Sequence, residues 1–193
     1  MKTIALIPAR LESQRFPNKL IKKLGGVPII ARTYIAALNT KLFDEVYVVS
    51  GNDEIIELIK SMNGLTFKSR KIHQSGTDRI AEAANEIDHD IVVNLQGDEP
   101  FINIDSIDNL IASFQDSSVK MASLMTSFNS FDEIKNPNHV KVTVDKNHNA
   151  IFFSRLPIPL GESEINKFNR HIGVYAFRKL ALKRFGTTAQ TYN

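Results

Sequence analysis

The sequence predicts an α/β protein with a mostly parallel sheet, to which antiparallel strands are added in the second half of the chain. In the first half, short apolar runs alternate with segments whose apolar residues recur at helical spacing, as in right-handed βαβ units. In the second half, apolar runs follow one another mostly without long helical segments, which favours antiparallel pairing. Because the sequence contains no repeat, low-complexity segment or linker, we expect residues 1–193 to form a single domain.

Local sequence features predict the individual strands and helices of the first half of the chain. The run Val46–Val49 is apolar throughout, as in a strand that is covered on both faces. Pro28 suits the start of a helix, Asn52 can cap the next helix, and Gly64 can end it. The predicted strands are Thr3–Ile7, Val46–Val49 and Ile91–Leu95, and the helices after the one at Pro28 are Asp53–Met62, Thr77–Ile87 and Asp105–Phe114.

Four apolar runs predict the strands of the second half. They are Met121–Phe128, Val140–Val144, Ile151–Ser154 and His171–Phe177. The turn-forming segment Lys146–Asn149 joins two of them into a predicted hairpin. A helix begins near Arg178, and no strand follows it before Asn193. We therefore expect the C-terminal part of the domain to be absent from this chain.

The composition excludes several kinds of chemistry. The chain lacks cysteine, which removes disulfides, thiolate metal ligands and cysteine nucleophiles. Its five histidines lack the spacing of a zinc site, and a net charge of +3 is typical of ordinary surface charge, so no nucleic-acid partner is predicted. No apolar stretch is as long as a membrane span, and the N-terminal run is too short for a signal peptide. We expect a cytoplasmic protein without membrane insertion.

Residues 8–19 form a basic loop directly after the first predicted strand. In an open α/β sheet, ligands bind beyond the carboxyl ends of the strands. The loop holds three cations, one hydroxyl and a single acid: Arg10, Arg15, Lys19, Ser13 and Glu12. This excess of donors would suit a triphosphate, but an ordinary polar surface loop explains the same residues, and both interpretations stay open. The spacing of a P-loop or of a dinucleotide-binding turn does not occur here.

A second polar loop, Gln96–Pro100, follows the run Ile91–Leu95 and is expected at the same edge of the sheet. Asp98 is placed to hold Mg2+, which prefers carboxylate, phosphate and water oxygens. Gly97 lets the backbone approach a ligand closely. A metal ion there would neutralise a triphosphate. The alternative is an ordinary Gly-Asp turn. Asp98 is favoured over Glu99 as the metal ligand.

A third polar cluster, His73–Arg79, opens a predicted helix. Ser75 or Thr77 can cap this helix, and the backbone N–H groups of such a helix start can bind an anion or a base edge. Arg79 adds a cation one turn further along. From local physics alone, a simple capped helix with a solvent-facing Arg79 is the favoured interpretation.

Taken together, these three clusters resemble the 3-deoxy-manno-octulosonate cytidylyltransferase (CMP-Kdo synthetase) family. Six pieces occur in the order of the family and with similar spacing along the whole chain. They are Ile7–Arg10 with Ser13, Arg15, Pro17 and Lys19; His73–Arg79; Val93–Pro100; Asn136–Val142; Phe153–Pro159; and Arg170–Tyr175. CMP-sialate synthetases share the opening piece, but their loop is richer in glycine. The second and third pieces point to the Kdo branch.

The resemblance implies a Rossmann-like nucleotidyltransferase sheet that transfers CMP from CTP to the anomeric hydroxyl of Kdo, for lipopolysaccharide synthesis. It implies CTP and a Kdo-like sugar acid as substrates, Mg2+ as cofactor, and a homodimer in the full-length protein. Arg10, Lys19 and Asp98 would be the catalytic residues, with Asp98 on the metal. The CTP-binding residues would be Arg10, Ser13, Arg15, Lys19, Ser75, Gly76, Thr77 and Arg79. The residues facing the sugar acid would be Gln96, Arg155, His171 and Tyr175.

Two departures from the family pattern bear on these expectations. The family loop reads Pro-Gly-Lys-Pro where this chain has Pro17–Leu20, and Asn18 tolerates the left-handed torsions that the family glycine would adopt. Family members also continue with a further helix, a strand and a segment whose Asp supplies a second carboxylate to the metal, and no such segment occurs before Asn193. A sialate-like or amino-Kdo acceptor, and a chain that only binds CTP, stay open as alternatives.

Overall fold

A computed structural model describes residues 1–12, 16–73, 75–157 and 168–187 of the protein. The chain divides into two units, of which unit 1 comprises Met1–Ala122 and Val174–Asn193, and unit 2 comprises Ser123–Gly173. The expectation of a single domain over residues 1–193 stays a prediction.

The described elements alternate along the first half of the chain as the sequence predicts. The strands are β1 (Thr3–Ala9), β2 (Lys23–Leu24), β3 (Val27–Pro28), β4 (Glu45–Ser50), β5 (Leu65–Lys68), β6 (Ile91–Asn94), β7 (Met121–Ser127), β8 (Lys141–Val144), β9 (Ala150–Ser154) and β10 (Asn169–Arg178). The α-helices are α1 (Ile29–Thr40), α2 (Asp53–Lys60), α3 (Gly76–Glu86), α4 (Ile104–Ala112), α5 (Phe131–Lys135) and α6 (Lys179–Thr187). Short 3-10 helices cover Lys19–Ile21 and Ser113–Gln115.

The sheet of unit 1 has the strand order β5-β4-β1-β6-β10. Strand β1 runs parallel to β4 and to β6, and β4 runs parallel to β5. The last residues of β10 pair antiparallel with β6. The central strands are buried almost throughout, which explains their continuous apolar runs. The mostly parallel α/β fold with antiparallel additions is therefore confirmed.

The helices of unit 1 begin and end close to the predicted positions, with one difference in detail. Helix α2 ends at Lys60, and the left-handed residue behind it is Asn63 rather than Gly64. Gly64 is required for a different reason, because a Cβ there would lie 2.6 Å from Ile59 Cγ2. No helix among the described residues is long and apolar enough to cross a membrane.

Unit 2 is built around a β-hairpin. Strands β8 and β9 pair antiparallel, which confirms the hairpin predicted at Lys146–Asn149, and His148 in the turn has a φ of 62°. The first residues of β10 pair antiparallel with β8. Phe128, Ile134 and Phe168 form a small core, and Ile134 comes from α5, a helix that the sequence reasoning did not predict.

Candidate active site

A cavity of about 250 Å³ lies in unit 1, where the carboxyl ends of β1 and β6 meet the start of α3. It is lined by Pro8, Ala9, Arg10, Glu12, Lys19, Leu20, His73, Ser75, Gly76, Arg79, Gln96, Gly97 and Asp98. The three polar clusters that the sequence singles out therefore contribute to one cavity, as expected for the carboxyl edge of a parallel sheet.

Lys19 and Asp98 meet across this cavity. Lys19 Nζ donates to Asp98 Oδ2 at 2.5 Å, and about 40% of each side chain is exposed. Lys19 begins the short 3-10 helix, which is anchored by buried Leu20. The residue before it, Asn18, is left-handed with a φ of 58°, as expected for an asparagine that replaces the glycine of the family loop. A cation and a carboxylate from separate segments of the chain thus form a solvent-accessible ion pair in the cavity.

Asn52, which the sequence predicts to cap α2, instead holds the basic loop in place. Asn52 precedes α2, but its side chain makes no capping hydrogen bond there. Instead, Asn52 Oδ1 accepts from the Leu11 N–H at 3.2 Å, and its amide donates to Glu12 Oε1 at 3.0 Å. The hydrogen bond from Asn52 lowers the pKa of Glu12. Arg10 lines the cavity from this loop.

Two of the predicted CTP-binding residues in the basic loop lie outside the described residues. These are Ser13 and Arg15. Their roles stay predictions.

Gly97 is crowded by protein atoms. A Cβ at this position would lie 3.1 Å from the Pro8 carbonyl oxygen and 3.2 Å from Ile30 Cδ1. The Gly97 carbonyl accepts from the buried hydroxyl of Thr33 at 3.0 Å. The absence of a side chain at Gly97 therefore serves the packing of the Gln96–Pro100 loop on β1 and α1, and this packing fixes the loop that carries Asp98.

Ser75, rather than Thr77, caps the start of α3. Ser75 Oγ accepts from the Asp78 N–H, and Asp78 Oδ2 accepts from the Ser75 N–H, each at 3.1 Å. Gly76 packs closely on the side chain of Pro8. Thr77 lies in the first turn of α3, outside the cavity lining among the described residues.

Arg79 is buried, which corrects the expectation of a solvent-facing side chain. Only 9% of the residue is exposed, and its guanidinium donates to the Ala9 carbonyl oxygen at 2.8 Å. Burial lowers the pKa of Arg79, and the nearby Glu12 carboxylate opposes that effect. A buried cation that ties α3 to the end of β1 places positive charge in the cavity wall.

Glu82 anchors the segment that leads into α3, and no motif of the sequence pointed to it. Its carboxylate accepts from the Ser69 hydroxyl at 2.6 Å, from the Arg70 N–H at 3.0 Å and from His73 Nε2 at 2.7 Å. Burial raises the pKa of Glu82, but these hydrogen bonds outweigh burial and lower the pKa to about 2. His73, the first residue of the third polar cluster, is thereby held in the cavity wall.

The residues that the family resemblance assigns to the sugar acid lie in both units. Gln96 lines the cavity of unit 1. Tyr175, also in unit 1, packs against the core around Phe177, and burial raises the pKa of its phenol. In unit 2, His171 Nε2 and the Ser123 hydroxyl are 2.9 Å apart, and Arg155 donates to the Pro137 carbonyl oxygen at 2.9 Å. The sugar-acid roles of all four residues stay predictions.

The donor set of the cavity is compatible with a magnesium ion. Asp98 presents an exposed carboxylate, and Glu12 lines the same cavity. Within the described ranges, no three His, Cys, Asp or Glu side chains form a metal cage. Mg2+ needs no such cage, because it is usually held by one or two carboxylates together with substrate phosphates and water.

Comparison with known proteins identifies the class. A family model described as Cytidylyltransferase matches residues 4–192. A structure of CMP:2-keto-3-deoxy-manno-octonic acid synthetase complexed with CTP superposes with a TM-score of 0.93 at 32% identity, over 99% of this chain and 80% of that one. The 4-diphosphocytidyl-2C-methyl-D-erythritol synthase of Anaerococcus prevotii shares the fold, with a TM-score of 0.63 at 14% identity over 100% of this chain and 80% of that one. Fold and cavity thus define a CTP-dependent nucleotidyltransferase of the cytidylyltransferase class.

Sequence relatives specify the family within this class. The 3-deoxy-manno-octulosonate cytidylyltransferase of Flavobacterium johnsoniae is 49% identical over 96% of this chain and 78% of its own length. Its counterpart in Francisella tularensis is 42% identical over 93% of this chain and 76% of its own length. The chain belongs to the 3-deoxy-manno-octulosonate cytidylyltransferase family, the CMP-Kdo synthetases.

Proposed function

We propose that this chain transfers CMP from CTP to the anomeric hydroxyl of Kdo, giving CMP-Kdo and pyrophosphate. One observation carries the proposal: Lys19 and Asp98 meet in a cavity whose wall also holds Arg10 and the buried Arg79. A cavity with these cations and the exposed carboxylates of Asp98 and Glu12 is suited to a triphosphate bound with a divalent cation.

The reaction is a single in-line displacement at the α-phosphate. The anomeric oxygen of the sugar acid forms a bond to the α-phosphorus, the bond from that phosphorus to the oxygen bridging the α- and β-phosphates breaks, and the hydroxyl proton passes to water. Arg10 and Lys19 bind and orient the phosphates and balance the charge that accumulates on pyrophosphate. Asp98 would hold Mg2+, which would supply further charge neutralisation. No covalent nucleophile takes part.

The acceptor contacts follow from the family resemblance. Gln96, Arg155, His171 and Tyr175 are the proposed contacts of the sugar acid. A guanidinium such as that of Arg155 suits the carboxylate of the acceptor, because its planar fork of donors matches the two oxygens.

Replacing Asp98 tests the proposed function. Pyrophosphate release is measured with CTP, Mg2+ and Kdo, and Asp98→Asn should lower turnover by at least about 100-fold. Stability should change by less than about 1 kcal/mol, because the Lys19–Asp98 pair is half-exposed. Asp108→Asn, at an exposed position on α4, is the matched control and should keep turnover. Near-normal turnover in Asp98→Asn would refute the metal role.

The same assay separates the alternative acceptors. Kdo, a sialate and an amino-Kdo are compared at equal concentrations, and the proposal requires the highest kcat/KM with Kdo. Calorimetric CTP binding without product from any acceptor would instead indicate a chain that only binds the nucleotide.

The proposed setting is lipopolysaccharide synthesis in the cytoplasm, by a homodimer. Strand β9 supports the dimer, because its Ile151, Phe152 and Phe153 are 68%, 58% and 48% exposed. An apolar strand with this exposure is suited to pack against a second copy of the chain. Sedimentation velocity measures the association, and a concentration-independent monomer would contradict it.

A further inference from the structure

Lys141 in unit 2 is a buried cation whose acceptors are all backbone carbonyls. Only 1% of the residue is exposed. Its ammonium donates to the carbonyl oxygens of Asn136 and His139 at 2.9 Å each, and to that of Arg155 at 2.7 Å. These three bonds connect the Asn136–His139 loop to the end of β9.

The number of acceptors matches the charged form of the side chain. An ammonium has three N–H donors, and each one meets a carbonyl, whereas a neutral amine would leave one carbonyl without its donor. Charge-assisted bonds of this kind are among the stronger ones in proteins. Among the described residues, the hydrogen-bond acceptors of this ammonium are neutral carbonyls, whereas a carboxylate partner would neutralise the buried charge.

Arg155 is held at both of its ends by this arrangement. Its carbonyl accepts from Lys141, and its guanidinium donates to the Pro137 carbonyl at 2.9 Å. The residue itself is exposed. Burial lowers the pKa of Lys141, and the charge of Arg155 lowers it further, so two cations stand close together. The result is an exposed arginine that is anchored through both its backbone and its side chain, beside a buried second cation.

We propose that Lys141 is a positioning residue for the carboxylate of the acceptor. It fixes the backbone of Arg155 and adds a buried positive charge beside it, so that Arg155 meets an anionic group in one orientation. The inference rests on the proposed function, since the sugar acid supplies the carboxylate. Lys141 itself does not touch the substrate in this role.

Lys141→Met tests the role, because methionine has a similar length and no donors. The KM for Kdo should rise by about 10-fold or more, while the KM for CTP stays within about twofold. Lys146→Met, at an exposed position in the hairpin of the same unit, removes a charge without these bonds and should leave both constants unchanged. Equal rises in both KM values for Lys141→Met would overturn the proposal.

A double-mutant cycle with Arg155→Gln separates positioning from general support of the fold. If Lys141 acts through Arg155, Lys141→Met should add little to the KM for Kdo once Arg155 is replaced. Fully additive effects would contradict the proposal. Lys141→Gln keeps two donors and should give an intermediate KM, which keeps the test decisive if Lys141→Met does not fold.

Hydrogen exchange provides a readout independent of turnover. In Lys141→Met, or in Lys141→Gln if methionine prevents folding, amides of residues 136–141 and 154–156 should exchange faster, with no change in unit 1. Unchanged exchange at residues 136–141 and 154–156 would refute the positioning role, whichever sugar acid is the acceptor. Absence of pyrophosphate from the wild type with CTP, Mg2+ and Kdo would instead refute the proposed function, so the two failures are distinguishable.

Discussion

The stability that the Glu82 carboxylate contributes should depend on pH, and the variant Glu82→Gln isolates that contribution. In the folded chain the pKa of Glu82 is about 2, against an ordinary value of 4.5. A tenfold change in proton affinity corresponds to about 1.4 kcal/mol, so the carboxylate contributes on the order of 3 kcal/mol. Because folding depresses this pKa, the contribution is fully present above the unfolded pKa of 4.5 and is lost as the pH falls towards 2.

Urea unfolding at a series of pH values between about 7 and about 3 measures the effect in both proteins. Glutamine has the size of Glu82 but cannot ionise, so the variant should be less stable by on the order of 2–3 kcal/mol at neutral pH. The difference between the two proteins should shrink steadily in acid, since the other carboxylates titrate in both and cancel. Glu57→Gln, at an exposed position on α2, should differ from the wild type by less than about 0.5 kcal/mol throughout. A Glu82→Gln difference that is the same at every pH would refute the reasoning.

Two further variants probe the cavity. Gly97→Ala should lower the free energy of unfolding by about 1–3 kcal/mol, because its Cβ would lie 3.1 Å from the Pro8 carbonyl oxygen. Gly173→Ala is the control, because apart from the chain neighbours of Gly173 no described residue would come within 4 Å of its Cβ. Equal losses of stability in urea unfolding would contradict this account. Lys19→Met should raise the KM for CTP by about 10-fold or more while costing less than about 1 kcal/mol of stability. Lys60→Met is the control, because it breaks an exposed ion pair on α2 and should leave the KM for CTP unchanged. An unchanged KM for CTP in Lys19→Met would show that Lys19 does not bind the phosphates.

The amino-acid sequence by itself determined the fold class and the place of the site. Strands β1 and β6 are almost entirely apolar, and a strand with this pattern is stable only when both of its faces are covered. Helices between such strands impose parallel pairing, and parallel pairing brings the loops after β1 and β6 to one edge. The meeting of Lys19 with Asp98 follows from that topology. The left-handed torsion of Asn18 is expected from the family resemblance, because asparagine can adopt the conformation of the glycine that it replaces.

Only the tertiary structure decided which polar side chains hold the site together. Asn52 has the local signature of a helix cap, yet its side chain binds two residues of the basic loop, Leu11 and Glu12, which lie far from it in sequence. Arg79 reads locally as a surface cation, yet it is buried against a carbonyl 70 positions away. Glu82 lies outside the six family pieces, and Lys141 lies in the piece Asn136–Val142 without an assigned role; the hydrogen-bond partners of both come from neighbouring segments of the fold. Local patterns encode periodicity and turn chemistry, whereas these hydrogen bonds depend on which donors and acceptors the packed chain brings together and shields from water.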